Sequence, residues 1–124
     1  MIIKHRALIK SFQYAFQGLF HTLKYNQNFK IQIVGALLVV LASIYFKVNP
    51  FEMGILGVMI LLVMCAEMIN TAMEEIVNLI TTNHQKEAKI AKDVAAGMML
   101  TTAFGAIGVS LIIFLPRLLV LFGF

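Results

Sequence analysis

Acidic side chains are scarce in this chain: six Asp and Glu stand against ten Lys and Arg in 124 residues, and charged residues are only 13% of the total. Hydrophobic residues make up 60%. A soluble domain of this size cannot hide so much apolar surface, so the composition excludes a water-soluble globular class and places the chain in a bilayer. A single cysteine, Cys65, excludes a disulfide framework within the chain and a thiolate metal cluster; among apolar neighbours it is read as a buried structural thiol. The three histidines, His5, His21 and His84, lack metal-ligand spacing. No glycine-rich phosphate loop occurs. No cleavable leader is expected either, because the basic N-terminus is not followed by a short apolar run and a small-residue cleavage site. The net charge of +4 requires no nucleic-acid partner, since anionic lipid head groups are the expected neighbours of a basic face.

What is present divides into four helical segments, predicting an all-α membrane protein as one domain over residues 1–124. Residues 1–26 are amphipathic: Leu8, Phe12, Phe16 and Phe20 recur at helical spacing against Lys4, Arg6, Lys10 and Gln17, the pattern of a helix lying on a membrane surface. Spans are predicted over 29–47, 51–80 and 89–124, the first closed by an Asn49-Pro50 turn. Pro116 falls where a kink or an interfacial exit is tolerable. Lys and Arg cluster before the first span and around residues 81–93, whereas the first loop has only Lys47 and the C-terminal end only Arg117. The positive-inside rule puts the N-terminus and the 81–93 loop in the cytoplasm.

The second span changes character at its end. From Met53 to Ala66 it carries no charge; then Glu67, Asn70, Thr71, Glu74 and Asn78 follow on one helix face, within an arc of about 100°. A carboxylate at or inside the hydrocarbon boundary is costly, so it marks a functional site facing protein or water. Glu75 sits about 100° round the helix from Glu74. Across the polar loop of Asn83, His84 and Gln85, the third span opens with Lys89, Lys92 and Asp93. Lysine can hold a polyphosphate as a point charge and carboxylates can hold an accompanying Mg²⁺, which brings these residues towards Glu74 if the helices pair antiparallel. The alternative from spacing is an i,i+4 pair of Lys89 with Asp93. The small residues Gly97, Thr101, Gly105 and Gly108 admit close helix approach, either between protomers or within one.

The run Glu67-Met68-Ile69-Asn70-Thr71-Ala72-Met73-Glu74, followed by Ala91-Lys92-Asp93-Val94-Ala95-Ala96-Gly97, resembles the small bacterial integral-membrane diacylglycerol kinase and undecaprenol kinase family. Gly18-Leu19 and Asn28-Phe29-Lys30 extend the resemblance over nearly the whole chain. It implies a homotrimer of protomers, each with a surface helix and three spans, in the bacterial cytoplasmic membrane, with active sites shared between neighbours. The implied activity is ATP-dependent phosphorylation of a membrane-embedded lipid alcohol, undecaprenol slightly preferred to diacylglycerol because Asp93-Val94-Ala95-Ala96-Gly97 looks more like that branch. Carried over by position, Glu67 is the general base and Asn70 orients the reacting atoms. Glu74 and Asn26 become Mg²⁺ ligands, and Glu74, Lys92, Asp93, Asn83, His84, Gln85, Lys10 and Tyr14 nucleotide contacts.

Two positions depart from the family pattern: Asn26 stands where a metal-binding glutamate is common, and Asn78 where an aspartate closes the second-span motif. Each removes a negative charge but keeps an oxygen donor. Weak metal binding or a silent relative would follow from these changes. A small oligomeric cation transporter is the reading from another class; it requires a fourth full span and a carboxylate near the midplane, and the N-terminal segment offers no suitable apolar run.

Overall fold

A computed structural model describes residues 2–124 as four helices: α1 (Ile2–Tyr25), α2 (Gln27–Tyr45), α3 (Pro50–Ile80) and α4 (Lys86–Leu121). Side-chain caps set two of the starts. Asn26 Oδ1 accepts the Phe29 N–H at 3.1 Å and Asn49 Oδ1 accepts the Glu52 N–H at 2.8 Å, so α2 begins two residues before the expected 29 and α3 one before 51. Helix α4 starts at Lys86 rather than 89, because Lys86, Glu87 and Ala88 are good helix formers and Glu87 puts a carboxylate in the first turn. It runs through Pro116 to Leu121. The Arg117 guanidinium donates to the Ile113 carbonyl one turn back, giving the helix a side-chain hydrogen bond beside the proline.

Two helices close with the same capping arrangement. After α4, Gly123 takes φ +84°, its N–H meets the Val120 carbonyl at 3.1 Å, and Phe124 N–H meets Leu119 at 2.9 Å. After α2 the left-handed position is filled by Lys47 at φ +51°, with Lys47 N–H on Ile44 at 3.2 Å and Val48 N–H on Ser43 at 3.0 Å. A side chain in that conformation costs roughly 1–2 kcal/mol, which glycine avoids. Lys47→Gly is therefore expected to stabilise the chain by on the order of 1 kcal/mol, read as a higher thermal midpoint in detergent. An unchanged or lower midpoint would contradict this account of the turn.

The cap turns Val48 inward, where it is buried with Leu56 and Ile113 against Val39, Phe46, Val109 and Phe114. Helices α3 and α4 form the most extensive pair, α2 packs on α3, and α1 is held mainly through its junction with α2. The antiparallel pair is tied at both ends. Lys92 Nζ donates to Asn78 Oδ1 at 2.8 Å at one, and the half-buried Arg117 reaches Glu52 with both terminal nitrogens, at 2.9 and 3.2 Å, at the other. Of the small-residue series on α4, Gly105 faces Met59 inside the protomer, whereas Gly97 and Gly108 face open space.

Helices α2, α3 and α4 are each long and apolar enough to cross a membrane, and little of any span is buried within the chain. Cys65 is exposed, which corrects its expected burial. Its neighbours Ala66 and Glu67 turn into the bundle. At about 100° per residue, Cys65 is rotated to the outer face, where apolar neighbours are expected in a membrane helix without being a core.

Candidate functional site

Asn26 organises the centre of the site. As the one residue between α1 and α2 it has extended backbone, φ −101° and ψ 109°, and its carbonyl is taken by the α2 cap. That leaves its amide to point at α3, where Nδ2 donates to Glu67 Oε1 and to Thr71 Oγ1, both at 2.7 Å. Thr71 in turn donates its hydroxyl to the Glu67 backbone carbonyl at 2.9 Å. From α2, Gln32 Nε2 approaches the other carboxylate oxygen, Oε2, at 3.4 Å, the long end of hydrogen bonding. Glu67 is 3% exposed. A carboxylate buried this far survives when each oxygen has a donor, and here the donors are neutral amides rather than a cation.

One turn on, Asn70 Nδ2 donates to Glu74 Oε1 at 3.3 Å, while Asn70 Oδ1 is buried and without a partner. Thr22, Asn28, Glu67, Asn70, Glu74 and Glu75 share the wall of a polar cavity of about 290 Å³ between the α1–α2 junction and α3. Among the described residues Glu67, Glu74 and Glu75 have no ion-pair partner, so the cavity carries uncompensated negative charge. Its donors are hard oxygens. A single Mg²⁺ takes one or two carboxylates and fills its octahedron with phosphate oxygens and water, so this set fits it despite the absence, among the described residues, of three convergent His, Cys, Asp or Glu.

The other residues singled out by sequence fall elsewhere. Asn78, Asn83, His84, Gln85, Lys92 and Asp93 line a second cavity, of about 590 Å³, around the α3–α4 loop. There Lys92 reaches Asn78, one turn beyond Glu74, and Asp93 is paired with Lys89 in the i,i+4 arrangement. Lys10 and Tyr14 are exposed on α1 and line neither cavity. Sequence reasoning missed Thr22 and Gln32. Gln32 carried a signal, being the last amide before the apolar run from Ile33 to Ala42. Glu75, although about 100° round the helix from Glu74, lines the same cavity.

A profile of the family described as prokaryotic diacylglycerol kinase matches residues 13–114. The chain belongs to this family. It is 35% identical over 109 residues to the undecaprenol kinase of Bacillus subtilis (strain 168), covering 88% of this chain and 89% of that protein. It is also 35% identical over 113 residues to a diacylglycerol kinase of Synechocystis sp., covering 90% of this chain and 65% of that longer protein. The segment matching this lipid kinase family contains both polar cavities in full and leaves Lys10 outside. Membership also agrees with three helices able to cross a membrane, and so with a membrane protein.

Proposed function

We propose that this chain transfers the γ-phosphoryl group of ATP to the hydroxyl of a membrane-embedded lipid alcohol, undecaprenol or diacylglycerol, in the cavity around Glu67. The observation that carries the location is the carboxylate itself: buried, held by amides on both oxygens, without a cation, and opening on polar space. Its depth is appropriate. Glu67 lies 17 residues from Pro50, about 26 Å along α3, close to the far boundary of a hydrocarbon layer about 30 Å thick. A lipid hydroxyl and a water-borne nucleotide meet at that level.

In this reading Glu67 accepts the hydroxyl proton as the lipid oxygen attacks the γ-phosphorus and the bond to the bridging oxygen of the leaving ADP breaks. The Asn26 amide keeps the carboxylate aimed, and Asn70 orients the reacting oxygens. Glu74, with Asn70 Oδ1 and the second lone pair of Asn26 Oδ1, would hold Mg²⁺, which when bound neutralises charge on the phosphates. Lys92, Asp93, Asn83, His84 and Gln85 form the nucleotide side, with Lys10 and Tyr14 as outlying contacts. The two cavities are separate in one protomer, and the family resemblance implies sites shared between neighbours. Both features support a homotrimer in which neighbours complete one another's sites. The exposed Phe12, Phe16 and Phe20 support α1 as a helix lying in the membrane surface.

The function is tested by ADP release from purified protein in mixed micelles containing undecaprenol, diacylglycerol or neither. Release that requires one of the lipids is expected, and release indifferent to both would defeat the reading. The basic N-terminus and 81–93 loop support a cytoplasmic placement of both in the bacterial cytoplasmic membrane. A cysteine substituted for Asn83 in a Cys65→Ala background is expected to react with an impermeant thiol reagent only from the cytoplasmic side. Labelling from outside would invert the topology.

A further inference from the structure

The polar cavity around Glu67 has two unlike walls. Its carboxylates, Glu67, Glu74 and Glu75, all come from α3, whereas the wall built by the end of α1 and the start of α2 carries none. On that second wall Thr22 donates its hydroxyl to the Gly18 carbonyl at 2.9 Å, and Asn26 spends its amide on Glu67 and Thr71. Among the described residues no Lys or Arg lines the cavity, and His21 is the one side chain in its wall able to carry positive charge. The imidazole is set by its own helix. Tyr25, one turn on, also lines the cavity, and the two rings meet with centroids 4.8 Å apart and planes inclined by 46°. Among the described residues His21 forms no ion pair, so it shares a cavity of about 290 Å³ with three carboxylates and closes on none of them.

We propose that His21 is a catalytic residue of the phosphoryl transfer, donating a ring N–H to a non-bridging oxygen of the phosphoryl group in transit. The proposal rests on the lipid-kinase reading and adds the group that meets the phosphoryl from the wall opposite the carboxylates. During transfer the charge is spread over three equatorial oxygens. Those turned to α3 lie on the side of the metal ligands; one turned to α1 needs a donor there, and the neighbouring Thr22 and Asn26 donors are already committed. A neutral imidazole supplies one N–H and an imidazolium a stronger one, so the contact tightens as charge develops on the oxygen. The ring keeps its proton throughout. The hydroxyl proton goes to Glu67, the bond from the lipid oxygen to phosphorus forms as the bond to the bridging oxygen of ADP breaks, and His21 ends as it began. Tyr25 is a positioning residue, acting only through the ring it holds.

The test is steady-state kinetics of the full-length protein in mixed micelles, with undecaprenol and with diacylglycerol as acceptor. His21→Phe keeps a ring against Tyr25 and removes the donor. It is expected to lower kcat about a hundredfold, the low end of what one lost donor to a developing oxyanion costs, with the KM values for ATP and lipid held within about twofold. His21→Gln and His21→Arg restore a donor without the imidazole, and at least one of them is expected to recover about tenfold of that loss. Should His21→Phe fail to fold, judged by helical content and gel-filtration volume, His21→Leu takes its place. Wild-type kcat in the folded Phe or Leu variant would overturn the proposal. Equal losses in the Phe, Gln and Arg variants would reduce His21 to packing on Tyr25, and a raised lipid KM at unchanged kcat would move it to lipid binding; either result overturns the proposal. Wild type that phosphorylates no lipid alcohol would defeat the lipid-kinase reading and this proposal together, whereas normal wild-type turnover with unaffected variants would defeat the proposal alone.

Discussion

Glu67→Gln is expected to reduce phosphoryl transfer by about 10²- to 10⁴-fold, the usual worth of a general base, with the helices still folded. The substitution keeps the shape of the side chain. Its oxygen can still accept from Asn26 Nδ2, now at 2.7 Å from Glu67 Oε1. The new amide nitrogen then faces Gln32, whose unpartnered Oε1 can turn to receive it. The loss is therefore chemical rather than structural: an amide cannot take the hydroxyl proton. Turnover in mixed micelles, beside helical content and gel-filtration volume, checks the two halves of the expectation. Wild-type turnover in a folded variant would remove Glu67 as the base.

Glu74→Gln is expected to act on the metal dependence first. Glu74 stands in a cavity with no cation, one turn from Glu67 and within reach of Asn70, whose Oδ1 is free to turn to a ligand. Removing one carboxylate from beside a divalent ion at a partly wet boundary costs on the order of 1–4 kcal/mol. The half-saturating Mg²⁺ concentration should rise about tenfold or more, since 1.4 kcal/mol is a factor of ten. Glu75→Gln should shift it less, because Glu75 shares the cavity wall but makes no hydrogen bond to the rest of the acidic group. A titration unmoved by Glu74→Gln would exclude that residue from the metal site.

Local periodicity made part of this site readable before any tertiary contact was known. Glu67, Asn70, Thr71 and Glu74 must share a face if the helix is unbroken, and α3 is continuous from Pro50 to Ile80. The helix count and the three candidate spans were equally legible, because long apolar runs between Asn caps leave few alternatives. What spacing could not resolve was which partner each polar group takes. Lys92 and Asp93 stand next to one another, yet one crosses to Asn78 and the other pairs back along its own helix to Lys89. Asn26 was legible as a departure from the family pattern; its carbonyl caps α2 locally, but the use of its amide to hold Glu67 depends on how α2 docks on α3. Gln32 depends on the same docking. Lys47 at positive φ follows from the closure of the α2–α3 turn, and nothing in Lys47-Val48-Asn49-Pro50 demands it. Cys65 misled because apolar neighbours signal burial in a soluble core but fit either face of a membrane helix.

The most direct measurement is transfer of label from γ-labelled ATP to lipid by the purified protein in mixed micelles, run beside Glu67→Gln and with the product identified chromatographically. The account predicts labelled undecaprenyl phosphate or phosphatidic acid from wild type and a loss of at least a hundredfold in the folded variant. Label that stays in the aqueous phase as inorganic phosphate, or lipid labelled equally by both proteins, would contradict it.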